Sequence, residues 1–468
     1  MRRRGRLALR LPSGRRLRGA LLCLAALAAG VSGGRASSPG LLVTVGDVGP
    51  RSALLWLRAA GTAPASLDVR VVGGPPGRRL EAEPAPEADF TARVRVDDLD
   101  PGTRYAYRVR WQSEVVDGEF VTAPEPGVAA AVTLLWSGDL GGGGRCRVPG
   151  AGYPIFRAMA ARRPDLFVFA GDTVYADQRC PAPPNLGGAD FEAHDLAGFR
   201  ARHRHQREDP GLARFLLGTS VSAIWDDHDV RSDFAGPTEP LMPAGRQAFL
   251  EYWPIDAPPG EEPMRLYRQL RWGRLLDLIV LDTRQYRSPN AAPDGPGKTM
   301  LGPAQREWLL DRVARSDAVW KLVVSSVPLS VGTGRIVRDS WANSLNPLVP
   351  VGDHTGFEHE LLEIVHGLAA RKVRNLVWLT ADVHFPAVLR LAPLPGLVFH
   401  ELIAGPLQAG HGYPRWFDRT LSPTRLFADG GFDNFGEIRL DAAGLTVRII
   451  DTDGRERFGT TLLPEPGP

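Results

Sequence analysis

The sequence predicts an α/β protein in which an all-β segment precedes a layered α/β domain. Three observations carry the prediction. Residues 41 to about 123 hold short segments in which apolar and polar residues alternate with the period of strands. From Val132 onward, short apolar runs alternate with stretches able to form helices, as in an α/β layer domain. Four of those runs stop at a carboxylate, at Asp139, Asp172, Asp227 and Asp382, and open α/β sheets gather functional groups at the carboxyl ends of their strands.

Residues 1–36 read as a secretory signal peptide: an Arg-rich start, an apolar stretch from Gly19 to Val31, and the small residues Gly34 and Ala36 before Ser37. That stretch is shorter than the about 20 apolar residues a membrane span needs, so no transmembrane anchor is expected in the mature form. An exported protein is the expectation, periplasmic, cell-envelope or secreted, by the Sec route or, through Arg15-Arg16, by the twin-arginine route. The formal net charge is +3, but residues 1–38 hold nine Arg and no acidic residue, which leaves −6 for the rest. Nucleic-acid or membrane binding driven by net charge is thereby disfavoured.

Strands are expected at Ser52 to Arg58, Leu67 to Val72 and Phe90 to Val96. The run Leu99-Asp100-Pro101-Gly102-Thr103-Arg104-Tyr105-Ala106-Tyr107 resembles the turn and tyrosine-bearing strand of a fibronectin type III or immunoglobulin-like sandwich, which makes residues 39–124 a β-sandwich. A Pro/Gly/Ala-rich connector, Ala123 to Ala131, leads into a second domain at 130–463. There, strands are expected at Val132 to Trp136, Leu166 to Ala170, Val221 to Trp225, Leu275 to Asp282, Trp320 to Ser325 and Asn375 to Thr380. Helices are expected at Tyr153 to Arg163, Pro303 to Arg315 and Glu358 to Ala370. Alternating segments at Leu397 to Ile403, Glu437 to Leu440 and Leu445 to Asp451 are expected to supply a second sheet.

The chemistry concentrates around Asp165 to Asp177. An apolar strand ends at Gly171, Asp172 presents a carboxylate, and Tyr175 follows with a phenolic oxygen, a pair able to meet at one highly charged cation. Four converging carboxylates repel one another unless protons or metal neutralise them, which points to a polynuclear metal site, and oxygen ligands favour hard cations. Cys146 and Cys180 each follow a strand-end Gly-Asp, and either a disulfide or two free thiols fits that placement. Gly141 to Gly144 lacks the Lys-Ser/Thr of a phosphate-binding loop and reads as a flexible loop beside Asp139. A solvated surface accounts for His194, His203 and His205.

Gly138-Asp139-Leu140-Gly141, Gly171-Asp172-Thr173-Val174-Tyr175, Asp226-Asp227-His228-Asp229 and Ala381-Asp382-Val383-His384, in this order, resemble the motif blocks of the calcineurin-like metallophosphatases. With Trp225 to Val230, Leu281 to Arg287 and the N-terminal sandwich, the chain is more narrowly similar to the alkaline phosphatase D (PhoD) family. That resemblance implies a four-layer αββα metallophosphatase domain. It implies a ferric ion (Fe3+) held by Asp139, Asp172, Tyr175 and Asp382, with Asp172 bridging to a divalent metal also bound by Asp227. Calcium (Ca2+) is favoured there, with manganese (Mn2+) and zinc (Zn2+) open. His228 falls where the superfamily places a histidine beside the scissile phosphate, to stabilise charge or protonate the leaving oxygen. His384 either ligates metal or orients a substrate oxygen. Asp139 stands where family members carry a cysteine ligand, and Val323 to Pro328 occupies the place of the superfamily's middle histidine. Asp229 and Asp233 read as solvated or hydrogen-bonded acids, with a further cation beside Asp227 as the alternative. Arg284 and Arg287 either grip phosphate or pair with an acid, and His354 lies where the family has a loop residue near the site.

The expected function is hydrolysis of phosphodiesters, phosphomonoesters or both by a metal-activated water, on a small-molecule, phospholipid or envelope-polymer phosphate ester. A non-catalytic cell-surface binding or adhesion protein with a decayed phosphatase domain is the alternative. The intact set Asp139, Asp172, Tyr175, Asp227, His228 and Asp382 argues against decay.

Overall fold

The computed structural model of the chain describes residues 40–256, 264–334, 337–343, 354–414 and 416–465. The leader expected at 1–36 lies outside them. Seven strands come first: β1 (Leu41–Gly46), β2 (Ala53–Ala59), β3 (Ala65–Val71), β4 (Arg78–Ala82), β5 (Thr91–Val96), β6 (Arg104–Trp111) and β7 (Glu114–Val121). In β6 the pleat sends Tyr105, Tyr107, Val109 and Trp111 inward and Arg104 and Arg108 outward. The amide of Asp100 donates to the Tyr105 hydroxyl at 2.8 Å, tying the turn to the strand as in a tyrosine corner. One sheet of the sandwich is β4-β3-β6-β7, and β1, β2 and β5 face it.

The second part of the chain runs β8 (Val132–Ser137), α1 (Ile155–Ala161), β9 (Leu166–Ala170), α2 (Leu196–Arg207), α3 (Pro210–Leu216), β10 (Ser220–Ile224), α4 (Met242–Tyr252), β11 (Arg268–Trp272), β12 (Leu276–Val280), α5 (Gly302–Arg315), β13 (Trp320–Val324), α6 (Glu358–Ala370) and β14 (Leu376–Thr380). It closes with β15 (Ala387–Leu394), β16 (Leu397–Ile403), β17 (Pro423–Ala428), β18 (Asn434–Asp441), β19 (Gly444–Asp451) and β20 (Glu456–Leu462). β8, β9 and β10 are parallel and side by side, so their carboxyl ends share one edge. The seven-stranded sheet, β11-β12-β13-β14-β16-β15-β17, packs its inner face on theirs through Leu134, Leu276, Leu278, Leu322 and Val377. Its outer face is covered by α5 and α6, through Leu309, Val313, Leu361 and Ile364. Phe156, Phe199, Phe215 and Phe249 bring α1 to α4 onto the other side, completing four layers in the order αββα.

Two features depart from the expected layout. β18 and β19, expected in the second sheet, instead pair beside β8 in the first, in the order β20-β19-β18-β8-β9-β10-β1-β2-β5. Their alternating pattern fits either sheet edge, and only the tertiary pairing decides. The same order shows β1 joined to β10, with Gly46 opposite Val221, so one sheet of the sandwich continues the main sheet to nine strands.

The segment from Leu196, expected as a solvated insertion, forms buried helices. Asp195 caps α2 by accepting from the Gly198 amide at 2.7 Å. Asp209 caps α3 by accepting from Leu212 at 2.9 Å, with Pro210 in the first turn. Arg207 at the end of α2 lies between the rings of Trp56 of β2 and Trp253, at 4.2 and 4.7 Å, and so fastens the sandwich to the second domain.

His203 corrects the surface reading most clearly. It is 0 % exposed, stacked on Tyr252 with ring centroids 5.3 Å apart, and neither ring nitrogen has a hydrogen-bond partner. Burial, then the charges of Arg207 and Arg202, lowers its pKa to about 3. The folded state therefore keeps His203 neutral, while the unfolded chain takes up a proton below about pH 6.5. Stability from this residue is complete above that pH and falls by up to about 1.4 kcal/mol per pH unit as pH drops toward 3. Replacing it by His203→Phe is expected to flatten the acid limb of a stability-versus-pH curve by that slope, as measured by urea unfolding between pH 7 and 4; an unchanged slope contradicts the assignment.

Candidate metal centre and active site

The strands β8, β9, β10 and β14 each run into a turn that carries an aspartate off the sheet edge. Asp139, Asp172 and Asp382 adopt left-handed backbone, with φ of +63°, +46° and +71°, and His384 does so at +59°. Such conformations cost on the order of 1 kcal/mol or more for a residue with a side chain and persist where the surroundings impose them. Here the surroundings are backbone bonds between strand ends: Leu140 N to Asp172 O at 3.0 Å and Ala381 N to Ser326 O at 3.3 Å. Gly171, at φ +109°, is required by close approach, since a Cβ there would stand 2.7 Å from that of Asp226 and 2.8 Å from that of Ser326.

These turns bring the seven candidate residues together. Ligand atoms of Asp139, Asp172 and His384 lie within 4.8 Å of one another; so do those of Asp172, Asp227 and His228, and those of Asp226, Asp227 and Asp382. Asp172 belongs to the first two sets and Asp227 to the last two, which makes one connected cluster. The Tyr175 hydroxyl is 2.8 Å from His384 Nε2, and its ring stacks on His228 at 4.3 Å. His384 Nδ1 bonds the Gly410 carbonyl, so Nε2 keeps its lone pair directed at Tyr175 and Asp139, whose Oδ1 lies 3.5 Å away. Burial, with the His228 charge in support, lowers His384 to about 4 and keeps it neutral.

The carboxylates of the cluster are buried and short of hydrogen-bond donors, while His228 and His384 are partly exposed. Asp139 and Asp172 are 1 % exposed and Asp227 4 %. Both oxygens of Asp139, Asp172 Oδ2, Asp227 Oδ1 and Asp382 Oδ2 are buried without a hydrogen-bond donor. Burial, then the neighbouring carboxylates, pushes Asp139, Asp172 and Asp382 well above the carboxylate range, and burial with Asp172 and Asp139 does the same to the Tyr175 hydroxyl. Asp227 goes the other way. Burial opposes its charge, but His228, Arg284 and the Asp233 and His228 amides outweigh it and hold the carboxyl below the ordinary range. Oxygens this close, orphaned and buried, with one neutral imidazole beside them, suit hard cations.

Several neighbours were not singled out from sequence. Asp177 accepts from His228 Nδ1 at 2.8 Å and from the Ser232 amide at 2.8 Å. Burial lowers the His228 pKa, but Asp227 and Asp177 raise it further, to about 9. Asp177 stands five residues after Asp172, and that offset was its one signal. Asp226 stood in the Asp226-Asp227-His228-Asp229 block without a role of its own, and Asp339 left no signal. They take up the two buried arginines: Arg284 bonds Asp226 and forks onto Asp339 at 2.8 and 2.7 Å, and Arg287 also bonds Asp339. The ion-pair alternative therefore holds for both arginines. Ser326, at the place of the missing histidine, donates to Asp226 at 2.7 Å. Asp229 is a hydrogen-bonded acid, accepting from the Thr173 and Asp226 amides, with burial pushing it up to about 7. His354 is exposed at the surface.

The loops are secured behind the cluster. A disulfide joins Cys146 and Cys180, Cα atoms 6.0 Å apart, and so ties the loop after Asp139 to the loop after Tyr175. Within the glycine run Gly142 is required by contact, since a Cβ there would stand 2.3 Å from ring carbons of Tyr175.

Residues 145–443 match the PhoD-like phosphatase family, and residues 34–124 match the PhoD-like phosphatase N-terminal domain. The chain belongs to the PhoD-like phosphatase family. It is 26 % identical over 328 residues to alkaline phosphatase D of Bacillus subtilis (strain 168), an alignment covering 64 % of this chain and 54 % of the relative, so it spans about half of that protein's length. A solved structure of PhoD superposes with a TM-score of 0.72 at 20 % identity, over 90 % of this chain and 92 % of the other. A purple acid phosphatase from yellow lupin (Lupinus luteus) seeds follows at 0.60 and 11 % identity, over 91 % and 74 %. Both show the shared metallophosphatase fold. Within the PhoD-like chain, Asp139 lies just before the matched catalytic span, and its place in the cluster comes from the geometry.

Asp177 holds the His228 ring through one nitrogen and leaves the other free. The Asp177→Asn variant is expected to lower kcat on a phosphate ester roughly ten-fold or more, with KM near that of the parent and the thermal midpoint retained. A kcat equal to that of the parent would remove the pairing from the mechanism.

Proposed function

We propose that the chain is an exported, metal-dependent phosphoesterase that hydrolyses phosphodiesters, phosphomonoesters or both, with water as nucleophile. One observation carries the reading: orphaned oxygens of Asp139, Asp172, Asp227 and Asp382 lie in one connected cluster beside His228, whose Nδ1 is held by Asp177. Asp139, Asp172, Tyr175 and Asp382 would hold a ferric ion, and Asp172 and Asp227 a divalent ion, calcium before manganese or zinc. The neutral His384, with its Nε2 lone pair among Asp139 and Tyr175, is best suited to ligation. When bound, such a metal pair supplies Lewis-acid charge for the phosphate oxygens and lowers the pKa of water.

The chain's own groups account for the rest. The four strand ends fix the carboxylates in place before any ligand arrives. Tyr175, buried among negative charges, loses its proton only where a cation compensates, which suits a ferric site. Asp177 holds His228 through Nδ1, and the free Nε2 would carry the proton given to the departing alkoxide, a contribution typically about 10² to 10⁴ in rate. Arg284, neutralised by Asp226 and Asp339, steadies the turn that carries Asp227. Export is supported by the leader-like residues 1–36 and by the Cys146–Cys180 disulfide, a bond kept in oxidising compartments.

Asp172→Asn and His228→Ala are each expected to reduce hydrolysis of bis(p-nitrophenyl) phosphate by roughly 10²-fold or more while circular dichroism stays unchanged. Parent-like rates in both variants would sink the mechanism and favour the non-catalytic alternative.

A further inference from the structure

Among the described residues, two aromatic side chains stand mostly open to water: Tyr413 and Trp416, each 63 % exposed. Their position is not arbitrary. The Gly410 carbonyl bonds His384 Nδ1, and the Gly412 amide donates to the His384 carbonyl at 2.8 Å, so Tyr413 follows directly from the metal-ligand turn. On the other side, Phe417 packs against Val331 and Phe385, and the Asp418 amide donates to the Ser330 carbonyl at 2.7 Å. Both flanks are tied into the protein next to the His384 turn, whereas the two rings stay mostly exposed, Tyr413 with one edge against Gly431. Leaving such rings in water forgoes the burial that stabilises the rest of the fold, and exposed apolar surface beside polar groups marks a binding face.

The chemistry around the rings narrows the partner. Trp416 lines a surface cleft of about 580 Å³ together with Phe417, Arg419, Pro423 and Arg425. Arg419 and Arg425 are exposed, and neither guanidinium has a carboxylate partner among the described residues. Indole and phenol rings settle at the boundary between water and hydrocarbon, and guanidinium groups pair with phosphate oxygens.

We propose that this rim docks on the phosphate-bearing face of a lipid bilayer, with Tyr413 and Trp416 entering the headgroup region and Arg419 and Arg425 pairing with lipid phosphates. The attraction is local, because the chain beyond residue 38 is net negative, and it acts only within a screening length of about 8 to 10 Å. Docking in this orientation presents headgroup phosphate esters to the cluster, the one clause that rests on the phosphoesterase reading. Binding itself needs no catalysis.

The test is co-sedimentation of the full chain with vesicles of phosphatidylcholine containing about one-third phosphatidylglycerol. The parent protein is expected to bind. The paired changes Tyr413→Ser with Trp416→Ser, and separately Arg419→Ser with Arg425→Ser, are each expected to lower partitioning roughly ten-fold, with hydrolysis of soluble bis(p-nitrophenyl) phosphate unchanged. A parent protein that leaves the vesicles unbound, or variants that bind as it does, overturns the proposal. So does retention of the parent, but not of the variants, on a soluble glycerol-phosphate polymer in the absence of vesicle binding. Vesicle binding without hydrolysis of any phosphate ester leaves docking standing and removes the phosphoesterase reading; hydrolysis without vesicle binding does the reverse.

Discussion

The structure is governed by the mutual repulsion of carboxylates that the fold forces together at one sheet edge. Two such charges 4 Å apart repel by about 4 kcal/mol at an effective dielectric constant of 20. A domain's entire net stability is about 5 to 15 kcal/mol, so a connected set of these pairs could not persist fully ionised and uncompensated. The protein answers differently at different members. Asp226 receives Arg284 and the Ser326 hydroxyl, and Asp229 receives the Thr173 and Asp226 amides. Asp139, Asp172, Asp227 and Asp382 keep orphaned oxygens, and the sets they form with His384, His228 and Asp226 overlap at Asp172 and Asp227. Asp227 is intermediate, since His228 and Arg284 offset its charge while its Oδ1 stays without a hydrogen-bond donor.

Holding the unpaired set requires stiffness. Parallel pairing of β8, β9 and β10 fixes the strand ends in register, and the turns beyond them are held in left-handed backbone by bonds from neighbouring turns. The disulfide then links the first two loops, and Gly142 lays its backbone on the Tyr175 ring. At the far edge of the same sheet, β1 extends β10 and Arg207 sits between Trp56 and Trp253. The sandwich is thus built into the sheet that carries the site, which is reason to treat it as a brace of the catalytic domain.

The catalytic strands and their acids were legible because apolar runs that stop at Gly-Asp leave a local mark, and the order of those marks is distinctive. Asp139, Asp172, Tyr175, Asp227, His228, Asp382 and His384 all reached one cluster. What failed was whatever depends on pairing across long separations. β18 and β19 carry a pattern that suits either sheet, and they went to the first. Asp339 reaches Arg284 from 55 residues away, with nothing in its neighbours to announce it. His203 lies in a segment so rich in Arg and His that it reads as a solvated face, yet α2 turns that side toward Phe249 and Tyr252. Charge in a helix is a statement about composition, and burial is decided by what the other helices leave uncovered.

The most direct test of the central claim is elemental metal analysis of the purified parent protein and of its Asp172→Asn variant. The account predicts about two metal ions per chain in the parent, one of them iron, and loss of at least one in the variant, because Asp172 would bridge both. Protein that hydrolyses phosphate esters while holding no stoichiometric metal, or a variant that retains the parent's full metal content, would contradict it.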